Sequence, residues 1–176
     1  GQPLGVIGHA ATVSITKETN QTAATIVFAN IVKMYARMWA RSRANAVWFI
    51  NQDIEPQLMT MSISVGTGGV PVYLPPGGLS TSPYAVLMGR PVIPVEYAAT
   101  LGTVGDLSLA DLSQYALLTK GGVNQASSMH VAFTTDEMAF RATYRVDGQP
   151  LWRTVLTPFK GTANTLAPII TLATRA

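Results

Sequence analysis

The stretch "SSMHVAFTTDEMAFRATYRVDGQPLW", Ser127 to Trp152, decides the fold class. From Met138 onward, Met138, Phe140, Ala142, Tyr144 and Val146 alternate with Ala139, Arg141, Thr143, Arg145 and Asp147. That is period two, the pattern of a strand with one apolar and one mixed polar face. Met129, Val131 and Phe133 alternate in the same way, and Thr134 to Glu137 can turn the chain between the two runs. Asp147-Gly148 is a strong turn signal, and Leu151 to Leu156 can form a returning strand. The reading predicts a three-stranded antiparallel meander. Arg141, Arg145 and Asp147 would share one face, with Tyr144, Val146 and Trp152 on the packed side. Arg145 reads as a salt-bridge or subunit-contact residue. Gly148 would need φ > 0, so Gly148→Val should destabilise the turn.

Working outward, Gly1 to Ser14 is short on charge, and Pro3, Gly5 and Gly8 argue for a loop leading into an extended segment. Val27, Ile31, Met34, Tyr35 and Met38 fall at helical spacing, with Asn30, Lys33, Arg37 and Arg41 on another face. This predicts a helix over 21–42, roughly 30 Å long, N-capped by Thr19, Asn20 or Thr22. Its last turns carry only positive charge, which suits the helix dipole. Ala46 to Asn51 reads as a short apolar strand. "EPQLMTM" reads as one or two helical turns with Pro56 in the first. Val65 to Gly78 is a glycine- and proline-rich loop with a short strand at Val70 to Leu74. "GRPVIPVEY" is a strand holding Pro91 and Pro94, so it should lie at an edge or a bulge. "GDLSLADLSQYALLTKGG" gives two extended pieces around Asp111, with "DLS" repeated at Asp106 and Asp111, and "LAPIITLAT" gives a last strand. A helix, mixed short strands and then long hairpins make an α+β pattern.

Composition adds constraint. The chain has 176 residues, 48% hydrophobic and 12% charged, against about 25% charged in an ordinary soluble domain. No run approaches the ~18 apolar residues of a membrane helix. Extensive contact with other protein subunits is the favoured outlet for the apolar surface. There is no cysteine, hence no disulfide, thiolate metal site or cysteine nucleophile. A net charge of +3 is too small to make nucleic acid the default partner.

The sequence holds few residues in patterns that carry chemistry. "VGTGGVPV" has the glycines of a phosphate loop but neither the lysine nor the following helix. His9 and His130 lack metal-ligand spacing. Ser127, Ser128, His130 and Asp136 contain the residue types of a hydrolytic triad, yet no G-x-S-x-G elbow presents the serine. Asp136 and Glu137 should diverge rather than face each other across a cleft, while Asp106 and Asp111 suit turn or cap duty. Lys33, Arg37, Arg41 and Arg43 could touch nucleic acid, but a solvated face or salt bridges to a neighbouring subunit fit better, since the reading finds no aromatic residues interleaved with them as a stacking platform would require. No catalytic, cofactor-binding or metal residue is assigned.

Several ordered phrases remain. "GQPLGVIG" (Gly1 to Gly8), "VWFINQDIEPQL" (Val47 to Leu58), "LMGRPVIPVEY" (Leu87 to Tyr97), "GDLSLADLSQYAL" (Gly105 to Leu117), the opening stretch, and "LAPIITLAT" together resemble the C-terminal half of the tailed-phage major capsid proteins, which share the Hong Kong 97-like fold. The resemblance implies an α+β phage capsid fold. A mixed sheet with flanking helices would form an axial domain, and antiparallel hairpins would form part of a peripheral domain. It implies a remnant of 1–18 after a spine helix, an axial-like domain of 19–125 and 161–176, and peripheral-like hairpins of 126–160. In the family, the N-terminal arm, extended loop and spine helix come before this point, so the chain is expected to be a C-terminal fragment. The implied role is that of a major head protein of a phage or prophage. It would be a non-enzymatic structural subunit without cofactors that self-assembles into hexamers and pentamers around the genome. Its partners would be copies of itself, other head-assembly proteins and, non-specifically at most, packaged DNA, with no membrane and no small-molecule substrate. It would reside in the virion, and in the host cytoplasm during assembly. Some family members cross-link covalently; no cross-linking residue is assigned here. The alternatives are an encapsulin-type compartment shell and, from another class, a small serine hydrolase using Ser128 and His130.

Overall fold

A computed structural model describes residues 2–65, 68–71, 73–74 and 85–176. In chain order the elements are β1 (Thr12–Ile15), α1 (Phe28–Arg37), β2 (Val47–Ile50), α2 (Glu55–Thr60), β3 (Ser62–Val65), β4 (Gly68–Pro71), β5 (Tyr73–Leu74), β6 (Ala85–Leu87), β7 (Arg90–Pro94), β8 (Leu107–Ala110), β9 (Tyr115–Thr119), β10 (Asn124–Ala132), β11 (Glu137–Thr143), β12 (Val146–Pro150) and β13 (Ile169–Leu172). The architecture is α+β, as expected. Among the described residues, seven strands form one mixed sheet in the order β1-β13-β8-β2-β7-β6-β5, and β3 pairs with β4 separately. The loop expected over 65–78 thus contains short strands, and its residues 66–67, 72 and 75–78 lie outside the described set.

The core follows from two apolar runs. "VWFI" of β2 and "IITL" of β13 lie inside the sheet, and all four residues of β13 are buried. A strand covered on both faces reads as a continuous apolar run rather than an alternation. Trp48 is fully buried, and its indole N–H donates to the Leu87 carbonyl at 3.0 Å, so the polar edge of the ring is satisfied inside the core. Ile31 and Met34 of α1, and Met38 just after it, pack into the same cluster as Leu107, Leu109, Ile170 and Leu172.

The long helix expected over 21–42 is only ten residues, Phe28–Arg37. Upstream, Asn20 and Ala24 adopt positive φ, which a right-handed helix cannot accommodate. The Ala24 N–H donates to the Arg175 carbonyl, and the Gln21 amide donates to the Thr25 carbonyl and to Asn30 Oδ1. Thr19, Asn20 and Thr22 therefore do not cap the helix. Val27 holds the N-cap position, and buried Asn30 reaches back to accept from its N–H at 3.1 Å. Downstream, Met38 is extended and bridges Ala167, and Trp39 N–H donates to the Ala167 carbonyl at 3.0 Å. Tertiary pairing cuts the periodic run at both ends.

β7 is not an edge strand. It lies between β2, parallel, and β6, antiparallel. Both prolines are tolerated because of register. The β2–β7 ladder begins at Trp48↔Val92, just past Pro91, and the β6–β7 ladder ends at Ala85↔Val92, before Pro94. Each missing N–H falls where the facing ladder is absent. Met88 and Gly89, both at positive φ, close the two-residue turn from β6 to β7.

The meander is also corrected. β10 and β11 form the expected hairpin, but β12 pairs with β9 and not with β11. Asp147-Gly148 lies inside β12, where Gly148 has no positive φ. Residues 151–155 form no strand, and Leu156 makes only an isolated bridge to Leu166. Because Thr119↔Val146 is followed by Asn124↔Thr143, the pairs β9–β12 and β10–β11 run on as one two-stranded ribbon. With five and nine residues along one side, the ribbon's strands span about 45 Å at ~3.3 Å per residue.

Candidate interaction surface

The residues with chemical potential serve local structure. Ser128 Oγ accepts from the His130 backbone N–H at 3.2 Å, at a register irregularity of β10 between Ser128 and Ala132. Asp136, at φ 53°, ends the 3-10 turn Phe133–Thr135 at the ribbon tip. Ser127 faces Phe140 across the ladder. His9 Nδ1 accepts from the Ala11 N–H at 3.0 Å on the way into β1. Among the described residues, no three His, Asp or Glu side chains converge as a metal site would require.

The two "DLS" aspartates have different fates. Asp111 accepts from the N–H and hydroxyl of Ser113, the cap role expected for it. Asp106 is fully buried and pairs with Arg175, also fully buried, in a two-pronged contact whose Nη1 arm measures 3.3 Å. Asp106 also accepts from the N–H groups of Gly102 and Leu107, while Arg175 donates to the carbonyls of Thr25 and Ala173. The cluster ties the C-terminus to the loops before α1 and β8. Nothing at Arg175 in the sequence signalled this, because a lone arginine near a chain end looks like a solvated charge.

The basic face of α1 is largely engaged within the chain. Lys33 pairs with Glu18 at 2.7 Å, and Arg37 donates to the carbonyls of Ala163 and Thr165. Aromatic residues do interleave with these cations, contrary to the expectation above. The Arg43 guanidinium lies 4.8 Å from the Tyr35 ring centroid, and that of Arg41 lies 5.8 Å from Trp39. Trp39 in turn meets Trp152 edge-on at 5.1 Å, and Trp152 Nε1 donates to Gln114 Oε1. This contact seats the end of the opening stretch against the end of α1.

The feature that stands out is apolar exposure on the ribbon. The buried core cluster has no member between Leu109 and Ala167. More than half of the exposed large apolar side chains among the described residues fall between Leu117 and Leu151. Phe140 is 79% exposed, Phe133 78% and Val131 78%, and Met129 and Met138 are also exposed. The alternation that predicted a packed face is real, yet the rest of the described chain leaves that face open. A free two-stranded ribbon is marginal in water, and this many exposed apolar side chains on one element point to a contact site.

Comparison with known proteins gives the surface a context. The sequence matches the model of the phage capsid family over residues 1–158. No curated protein matches it. Among solved structures, the fold is similar to a chain in the capsid of an empty GTA particle, with TM-score 0.64 and 17% identity over 99% of this chain and 57% of that one. It is also similar to a chain in the capsid of a native GTA particle, with TM-score 0.61 and 16% identity over 99% and 54%. The present chain thus spans little more than half the length of those chains.

Proposed function

Because the chain belongs to the phage capsid family, we propose that it is a structural subunit of an icosahedral phage or prophage capsid, self-assembling into hexamers and pentamers that enclose the genome. The family match over residues 1–158 carries this reading. The open apolar ribbon supports it, since a shell subunit converts such surface into interface. The role is architectural rather than catalytic. Its partners are copies of itself and other head-assembly proteins, with packaged DNA touched non-specifically at most. Its place is the virion, reached from the host cytoplasm where assembly occurs.

The division proposed from sequence also receives support. Residues 19–125 and 161–176 supply most of the seven-stranded sheet, the axial-like unit, and residues 126–160 supply most of the projecting hairpin, the peripheral-like unit. Two refinements follow from the pairing. β1, within 1–18, belongs with the sheet because it pairs with β13, and β9 belongs with the ribbon because it pairs with β12.

The test is to purify nuclease-treated particles from producing cells and identify their shell protein by mass spectrometry and electron microscopy. Peptides of this chain should dominate icosahedral shells. Particles lacking it, or a shell loaded with an enzyme cargo instead of DNA, would sink the reading.

A further inference from the structure

The strand directions give the sheet two distinct ends. β1, β13, β2 and β7 run the same way, opposite to β8. Their C-terminal ends lead into the segments that contain Asp53 and Glu96. The lysines at that end are already occupied: Lys33 by Glu18 and Lys17 by the Ala176 carbonyl. The opposite end carries Arg41, Arg43 and Arg90, held in place by Trp39, by Tyr35 and by the Ala44 carbonyl. Its acid, Asp111, is buried and accepts from Ser113. β7, five residues long, sets the ends about 17 Å apart, beyond the ~8 Å screening length of physiological salt. The two ends therefore cannot neutralise each other within one chain. At the acidic end Tyr97 is fully exposed and Met59 half exposed, so apolar contact area lies beside the charges.

We infer that the acidic end of the sheet in one copy docks on the basic end of a second copy, a head-to-tail contact that propagates around a ring. A contact between different patches closes only by rotation, and like ends meeting would juxtapose like charges, so a twofold arrangement is disfavoured. The inference rests on the shell-subunit reading and specifies which surfaces of the sheet meet.

The test uses the full chain and three variants, with circular dichroism checking that each is folded and sedimentation velocity reading association. Arg41→Glu with Arg43→Glu leaves Arg90 outweighed and makes both ends acidic, and Asp53→Lys with Glu96→Lys makes both ends basic. Each should weaken self-association by about tenfold or more. Mixing the two should restore it, because alternating copies again present opposite charges. Such a mixture closes only even-numbered rings. All four substitutions in one chain should restore self-association without a partner. Wild-type association that is indifferent to the reversals, or a mixture that fails to recover it, overturns the contact while leaving the capsid role intact. A wild-type chain that stays monomeric at every concentration and ionic strength also overturns it. The capsid role itself stands or falls separately, on the particle composition.

Discussion

Gly148 shows how a correct residue can carry a wrong reason. Asp-Gly marks turns because glycine tolerates positive φ, yet Gly148 sits in a regular strand. Glycine is needed there because a Cβ would lie 2.7 Å from the Tyr115 ring. That ring is anchored by its hydroxyl, which donates to the Leu4 carbonyl at 2.8 Å, and the Leu4 N–H donates to the Gly148 carbonyl. Gly148→Val should therefore cost about 1–3 kcal/mol by overpacking, measured by urea unfolding. Truncating the tyrosine as well, in Gly148→Val/Tyr115→Ala, should add less than the two single costs combined. Strict additivity would refute the steric account. Arg175 offers a sharper case. Removing one partner of a buried pair strands the other charge, so Arg175→Met should cost about 3–5 kcal/mol. The double variant Arg175→Met/Asp106→Leu should recover part of that loss. Trp48→Ala should cost about 3–5 kcal/mol through the cavity and the lost Leu87 contact.

At the scale of elements, strand existence was legible and strand partnership was not. Period two located β10 and β11, and the apolar runs located β2 and β13. The partner of β12 depends on a segment some thirty residues upstream, and no local signal distinguishes β9 from β11. Likewise, proline says that a ladder bond is missing but not on which side, so Pro91 and Pro94 point to an edge or a bulge whereas β7 lies between β2 and β6. The helical period overran α1 because Ala24 and Met38 obey contacts with the C-terminal segment rather than local propensity. The ribbon invites a direct measurement. In the free chain, amides of Asn124–Ala132 and Glu137–Thr143 should exchange far faster than those of Val47–Ile50 and Ile169–Leu172. Equal protection of the two sets would mean that the ribbon is covered within the chain itself.

At the scale of the whole molecule, the same ribbon should become protected on assembly, because its apolar face then leaves water. Hydrogen exchange of assembled particles against free subunits reads this, and unchanged ribbon amides would argue against burial there. Composition already pointed this way: 48% hydrophobic and 12% charged residues are more apolar surface than one chain conceals. The candidate surface was half legible, since alternation gave its residues while their exposure awaited coordinates. By itself the sequence determined the α+β class and the identities of the core strands, because these follow from local periodicity and bulk composition. Only the tertiary structure decided that β12 joins β9, that β7 is interior, that Asp106 meets Arg175, and that charge separates to opposite ends of the sheet. Each of these depends on which distant segments share a ladder or a buried pair, and such choices are settled by the competition among long-range contacts, not by any residue's own preference.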